Sequence, residues 1–332
     1  MAKRVSVIAT VKNEAGSIGH LLDSLLAQTR QPDEIVIVDG GSTDGTVEVI
    51  RSYIEGKGIP IKLIVRQGCN ISQGRNTAIR AAAGEIIAST DAGVRLSPNW
   101  LEELVKPFEE GGQCPDVVSG FFLPEPQTVF ETAMGATVLP TLEEIDLQRR
   151  FRRFFPSSRS IAFRKEAWQR VGGYPEWLDY CEDLVFDLRL KDEGFRFAFA
   201  PEAVAHFRPR PNLAAFFRQY YRYARGDGKA DLWRLRHIIR YSTYLMLIPI
   251  LFLLGLWHNP LWWFLLILGA AFTLWTPYKR LLPMIADYDL IAKLKAIAWV
   301  PIIRVTGDVA KMVGYPVGVW WRLRKLDRGS QG

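Results

Sequence analysis

The sequence predicts an α/β protein: a doubly wound, mostly parallel sheet, followed by a C-terminal helical region associated with a membrane. Three observations carry this. Short apolar runs alternate with amphipathic helices from Val5 to Phe122, the pattern of a parallel sheet covered on both faces. Two of those runs end in a carboxylate, Asp39 and Asp91, where open α/β sheets bind ligands. Beyond Arg240 lie two uncharged apolar runs, Tyr241–Trp257 and Leu261–Thr276, of 17 and 16 residues.

The elements follow in order. Val5–Ala9 reads as a strand, and Ser17–Ala27 as a helix with Ile18, Leu21, Leu22 and Leu25 on one face. Ile35–Val38 is the next strand. It closes in the glycine-rich loop Asp39-Gly-Gly-Ser-Thr-Asp-Gly-Thr46, whose Asp44 or Thr46 caps a helix over Val47–Tyr53. Ile61–Val65 and Ile86–Ser89 are further strands around a helix at Ser72–Ala83, and Ser97-Pro98 opens a helix over Asn99–Phe108. Val117–Phe122 adds a strand, Ala167–Val171 a short helix, and Phe195–Phe199 another strand with His206 beyond it. Between Glu125 and Arg164 the pattern loosens. The Arg–Phe stretch Gln148–Phe155 and the loop Pro156-Ser-Ser-Arg-Ser160 suit either a solvated basic face or a floor beneath an acceptor or departing phosphates.

The formal net charge is +7, and it is local. Arg208–Arg240 holds nine Lys/Arg against two Asp, 9 − 2 = +7. A basic chain suggests nucleic acid, but this block runs straight into an apolar segment, so an anionic membrane surface is the expected partner and nucleic acid is not. The three cysteines, Cys69, Cys114 and Cys181, are scattered and lack zinc spacing. Met1-Ala-Lys-Arg leads directly into a strand with no apolar leader core, so the catalytic part is expected in the cytoplasm.

No G-x-G-x-x-G follows the first strand, and no G-x-x-x-x-G-K-[ST] occurs. A bound diphosphate must therefore be handled by a metal or by basic side chains. Asp91 and the pair Glu182-Asp183 are the candidate chemistry: one carboxylate to hold a metal-bound phosphate, another to take a proton. Taken singly, each suits a turn or a helix start equally well.

Val5-Ser-Val-Ile-Ala-Thr-Val-Lys-Asn-Glu14, Ile35-Val-Ile-Val-Asp-Gly-Gly-Ser-Thr-Asp-Gly-Thr46, Gly74-Arg-Asn-Thr-Ala78, Asp91-Ala-Gly93 and Glu182-Asp183 follow in this order. Together they resemble the signature segments of family 2 glycosyltransferases over roughly residues 4–225. The resemblance implies a GT-A fold, a nucleotide-diphosphate sugar donor and a divalent metal, Mg or Mn. It implies that Thr10, Glu14 and Asp39 contact base and ribose, that Arg75 lies near the nucleotide, that Asp91 begins the metal motif, and that Asp183 is the catalytic base beside Glu182. Gly93 stands where the family often has a second Asp, and Gly40 where it often has another. Similar enzymes often recruit a His after the acidic pair, which makes His206 a candidate metal ligand, although a lone His near an irregular segment is more often structural. Gln219-Tyr-Tyr-Arg222-Tyr223 resembles the Q-x-x-R-W motif of membrane-bound members, which helps bind acceptor or donor diphosphate. Arginines facing lipid phosphates explain the same pattern.

Residues 1–225 are thus expected to be the catalytic domain and 226–332 the membrane region. In the latter, each limb of the hairpin 241–277 reaches about 25 Å, a little under a typical hydrocarbon core of ~30 Å. Trp257, Trp262 and Trp263 cluster at the tip, and Tyr241, Tyr244, Trp275 and Tyr278 at the open end. Arg240 and Lys279-Arg280 place both outer ends in the cytoplasm, making a multi-pass arrangement; a re-entrant hairpin and a helical hairpin buried in a soluble core are the alternatives. Residues 288–325 carry Lys293, Lys295 and Arg304 and are interrupted by Pro301, which suits interfacial or re-entrant helices. Residues 326–332 read as disordered. The expected activity is inverting transfer of a sugar from a nucleotide-diphosphate donor to a glycan or lipid-linked acceptor at the cytoplasmic face, in polysaccharide or glycoconjugate synthesis. The alternatives are transfer to polyprenyl phosphate itself, or a catalytically weak nucleotide-sugar-binding membrane protein.

Overall fold

The computed structural model describes residues 3–55, 60–110, 114–145 and 155–329. The chain forms two compact units, Met1–Glu125 with Leu142–Arg208, and Pro126–Thr141 with Pro209–Gly332.

The first unit is built on eight strands: β1 Val5–Val11, β2 Glu34–Asp39, β3 Ile61–Val65, β4 Ile86–Asp91, β5 Val94–Leu96, β6 Val117–Pro124, β7 Ile161–Arg164 and β8 Phe197–Phe207. Their order is β3-β2-β1-β4-β7-β6-β8-β5. The first half is parallel, while β7 and β5 run antiparallel to their neighbours. β2 is buried along its whole length and β1 and β4 along nearly all of theirs, which explains their unbroken apolar runs. Alternation still sorts the residues. Val5, Val7 and Ala9 join Ile35 and Ile37 in a core under α1 (Ile18–Leu26), α2 (Thr46–Ile54) and α4 (Trp100–Glu109). Ile8, Val36, Val38 and Ile87 face α3 (Ile71–Ala81), α6 (Lys165–Arg170) and α7 (Glu182–Asp192).

The chain moves outward from β1 to β2 and β3, then returns to place β4 on the other side of β1. The switch point therefore lies between the carboxyl ends of β1 and β4, where Thr10 pairs in register with Asp91. Several boundaries differ from expectation. α2 begins at Thr46 after Gly45 at φ 92, with Asp44 accepting the Thr46 N–H at 3.1 Å. β8 runs well past residue 199 and carries His206. The loosened stretch holds β7 and a helix in the second unit, α5 (Val129–Val138). Residues 148–154 of the Arg–Phe stretch lie outside the described residues.

The second unit is helical. α5 packs through Phe130, Ala133 and Met134 against Phe216 of α8 (Leu213–Lys229) and Ile303 of α12 (Leu290–Gly329). Ala136 meets Leu281 of α11 (Trp262–Met284), with Ala296 and Val300. Between α8 and α11 lie α9 (Arg234–Ser242), a π-helical turn over Thr243–Leu247, and α10 (Ile248–Trp257). α12 is continuous through Pro301 and Pro316 and remains helical through Gly329, where a break and a disordered tail were expected. The reason is packing. At Gly314 and Gly318 an added Cβ would lie 2.2 and 2.1 Å from the backbone oxygens of Tyr221 and Arg225. Around Pro301 itself, Ala296, Val300 and Ile303 are buried against α5, α8 and α11, packing that offsets the ~3 kcal/mol of an internal proline.

By length and composition one described segment can cross a membrane, Arg234–Trp257, with 11% of its apolar window buried. The second expected limb falls short because Thr276, Pro277, Lys279 and Arg280 enter α11 within the length a span needs.

Candidate active site at the sheet switch point

The loops after β1 and β2 are fastened to each other. Asn13, at φ 56, donates its N–H to Ser42 Oγ (2.8 Å) and accepts from the Thr43 N–H (2.9 Å). The Glu14 N–H donates to Thr46 Oγ1 (2.8 Å), and Ser17 Oγ bonds the Glu14 carboxylate. Asp39 is fully buried. Its Oδ1 accepts the N–H groups of Gly41 and Ser42, both at 2.9 Å, and its Oδ2 is bonded by Ser42 Oγ. Asp39, Thr43, Glu48, Arg51 and Gln67 line a cleft of about 490 Å³, within the roughly 300–1,000 Å³ of small-molecule sites.

Beside it, α3 is pressed onto β1. A Cβ at Gly74 would lie 2.3 Å from Thr10 Cγ2, so only glycine allows this approach. The approach seats the next residue, Arg75, in the site with 3% of its side chain exposed. Arg75 Nη1 donates to Glu182 Oε1 (2.6 Å) and Nη2 to Asp91 Oδ1 (3.0 Å), with its guanidinium 5.4 Å from the centre of the Tyr174 ring. Burial works against the charge on Arg75. The Glu182 and Asp91 carboxylates more than restore it, so its pKa lies above the ordinary arginine value.

The acidic pair opens α7 after Cys181 at φ 64, an αL residue that turns the chain into the helix. Burial, then the charge of Asp183, pushes Glu182 up to about 7 against the pull of Arg75. Asp183 is half-buried, and its Oδ1 accepts the Leu184 N–H at 2.8 Å. One turn further, Asp187 is buried with neither carboxylate oxygen hydrogen-bonded. Burial, then the charge of Asp183, raises its pKa well above the ordinary aspartate value, against the pull of Arg75.

The structure thus brings Asp91, Arg75 and Glu182 together, with Asp183 among the charges acting on Arg75. His206 is engaged elsewhere: its Nε2 lies 3.2 Å from Ser97 Oγ and its Nδ1 3.4 Å from Glu125. Burial and the Arg95 charge pull its pKa down against Glu125. Gln219 and Arg222 lie on α8 in the second unit, where Gln219 accepts from Arg210 Nε (3.1 Å) and donates to Tyr223 (2.6 Å).

Sequence reasoning passed over Asn76. Buried, it donates to the Tyr174 carbonyl (2.9 Å) and Glu176 (3.0 Å) and accepts from Trp168 Nε1 (3.0 Å) and the Tyr174 N–H (2.9 Å). It fastens the loop before α7 to α3. Its place beside Arg75 was the available signal. Arg159 was passed over as an individual residue too. Its Nε lies 3.7 Å from Asp91 Oδ2.

These donors do not fit a resident metal ion. The two oxygens of Asp91 each face a guanidinium. Position 93 has no side chain, and among the described residues no three His, Cys, Asp or Glu side chains converge on one point.

Residues 6–172, half of the chain, match the model of glycosyl transferase family 2. The chain is 28% identical over 239 residues to glycosyltransferase AglE of Haloferax volcanii, covering 70% of this chain and 75% of that protein. It is 28% identical over 237 residues to the succinoglycan biosynthesis protein ExoA of Rhizobium meliloti, covering 67% and 68%. The mannosyltransferase PcManGT of Pyrobaculum calidifontis, solved in complex with GDP-Man and Mn2+, superposes with a TM-score of 0.58 at 22% identity, covering 96% of this chain and 88% of that one. The fold is GT-A-like with a helical C-terminal region, and the chain belongs to glycosyl transferase family 2 as a glycosyltransferase.

Proposed function

We propose that this enzyme transfers a sugar, with inversion, from a nucleotide-diphosphate donor to a glycan or lipid-linked acceptor in polysaccharide or glycoconjugate synthesis, working at the cytoplasmic face of a membrane. The observation that carries it is the placement of Asp183 beside the Arg75–Asp91–Glu182 cluster at the switch point, next to the Asp39 cleft. The cleft takes base and ribose, which leaves the diphosphate toward Asp91. Inversion is a single displacement: the acceptor oxygen bonds the anomeric carbon, the bond to the diphosphate oxygen breaks with its electron pair, and the acceptor proton passes to Asp183. Arg75 keeps Glu182 and Asp91 in place. Relatives named for glycosyl transfer and succinoglycan biosynthesis support the acceptor class.

The membrane reading rests on the second unit. Arg234, Arg236 and Arg240 precede the apolar stretch that ends at Trp257, which by charge bias keeps the entering end cytoplasmic. Tyr241 Oη donates to the Met312 carbonyl (2.6 Å) and Arg240 Nε to Asp308 (2.8 Å), so α12 returns to the level at which α9 enters. Incubating membranes that contain the full chain with labelled nucleotide sugars, and determining the anomeric configuration of the product, tests the chemistry. A product that keeps the donor's configuration would remove the single displacement.

A further inference from the structure

Resting on the membrane reading above, we propose that Arg304 and Lys311 of α12, framed by Arg240 of α9, bind the phosphate of an anionic phospholipid headgroup. Within the second unit these three cations gather around one carboxylate. Asp308 accepts from Arg240 Nε (2.8 Å) and Tyr244 Oη (3.1 Å), and Arg304 Nε lies 3.5 Å from its Oδ2. The other carboxylate acting on Lys311, Asp227, lies 3.3 Å from His237 Nε2. Positive charge is therefore in excess at this point. Arg240 is fixed, since it also meets His237 Nδ1 at 3.2 Å. Lys311 is not. It is half-buried, its Nζ lies 4.9 Å from the centre of the Tyr220 ring, and it has neither hydrogen bond nor ion pair among the described residues. Burial, then the charge of Arg240, brings its pKa down to about 8 against the pull of Asp308. An ammonium so placed is stabilised by an incoming anion.

The surroundings select what carries that anion. Arg304 is 43% exposed, so the cluster is open to its surroundings. Exposed apolar side chains lie within a turn of it on both helical segments: Ile302, Val305 and Val309 of α12, and Leu245 and Met246 of the π-helical turn. Free phosphate gains nothing from such surface. A phospholipid does, because its phosphate meets Arg304 and Lys311 while its acyl chains cover the apolar groups. The level fits as well. Tyr241 Oη donates to the carbonyl of Met312, the residue after Lys311. The cluster therefore stands at the start of the uncharged stretch, where the headgroups of a leaflet lie.

Native mass spectrometry of the full chain in detergent, titrated with phosphatidylglycerol or with phosphatidylcholine, tests this. Wild type should bind its first phosphatidylglycerol at least about tenfold more tightly than phosphatidylcholine. Lys311→Gln should lose about 10- to 100-fold of that affinity, the range for charge-assisted hydrogen bonds, and Lys311→Arg should keep most of it. Lys295→Gln removes an exposed charge from the same helix and should change binding by less than about twofold. Phosphatidylglycerol should raise the melting temperature of wild type and of Lys311→Arg, but not of Lys311→Gln. If Lys311→Gln does not fold, Arg304→Gln carries the test with the same expected loss. Several results would overturn the site and leave the membrane reading intact. These are equal affinity for the two lipids, Lys311→Gln binding like wild type, and equal losses at Lys311 and Lys295, which mark a diffuse surface field. Displacement of the lipid by inorganic phosphate would do the same, since it marks a site for the free anion. A chain that also fails to float with vesicles of either lipid loses the membrane reading and this site together.

Discussion

The two units treat apolar surface in opposite ways. Among the described residues, the first exposes five large apolar side chains, Ile54, Val65, Leu123, Leu142 and Trp177, and the second exposes 33, from Leu235 to Leu323. Both units bury ionisable groups, Arg75, Glu182, Asp39 and Asp187 in the first and Glu131, His237 and Asp308 in the second. A sheet enzyme in water sequesters apolar groups and holds a few costly polar ones for chemistry. A helical unit with so much apolar surface facing outward is consistent with the membrane association proposed above. The comparison teaches that the two units distribute apolar surface differently, and each can be perturbed separately.

The largest expected effect is on the buried charges. Arg75→Met strands Glu182 and frees Asp91, and should lower the stability of the first unit by about 3 kcal/mol or more at pH 8. The loss should shrink at pH 5, where Glu182 takes a proton. Denaturant titration at both pH values checks this, and an equal loss at each would show that Arg75 acts through packing alone. Next, Asp183→Asn should lower turnover at least about a hundredfold with nucleotide binding and melting temperature little changed. Turnover above half that of wild type, with chemistry limiting, would place the base elsewhere.

Asp187→Leu should act in the reverse sense on stability. Replacing an unpartnered buried carboxyl with an apolar group of similar size is expected to stabilise the first unit by about 1–3 kcal/mol. A loss on chemical denaturation would mean that the carboxyl has a partner. An effect of comparable size comes from Glu182, whose folded pKa is raised from 4.5 to about 7. A raised carboxylate contributes stability that is fully present below pH 4.5 and lost as pH rises through about 7. Glu182→Gln should remove that slope, at most about 1.4 kcal/mol per pH unit. Unchanged pH dependence would place the titration on another group. The smallest effect should come from the outward face of the second unit. Phe272 is 83% exposed, so Phe272→Ser should move stability in detergent by less than about 0.5 kcal/mol. It should weaken partition into anionic vesicles, and a melting shift of several degrees with unchanged partition would make Phe272 a packing residue.

What the sequence determined by itself was local. The unbroken apolar runs at Ile35–Val38 and Ile86–Ser89 named buried parallel strands, because a strand covered on both faces has no polar side to show. The ordered segments from Thr10 to Asp183 named the family, since each is a short loop or helix start whose residue types reflect local backbone needs. The tertiary structure alone decided which charges meet. Arg75 lies 107 residues from Glu182 and 16 from Asp91, and they join only because Gly74 lets α3 approach β1. Arg159 reaches Asp91 from a loop whose pattern suited a solvated face just as well. Pro301 failed to break α12 for a related reason. A helix held against its neighbours through Ala296, Val300 and Ile303 has a stability that no local propensity contains. Local preference is written residue by residue, whereas the pairing of buried charges depends on distances that exist only after the sheet and its helices have packed.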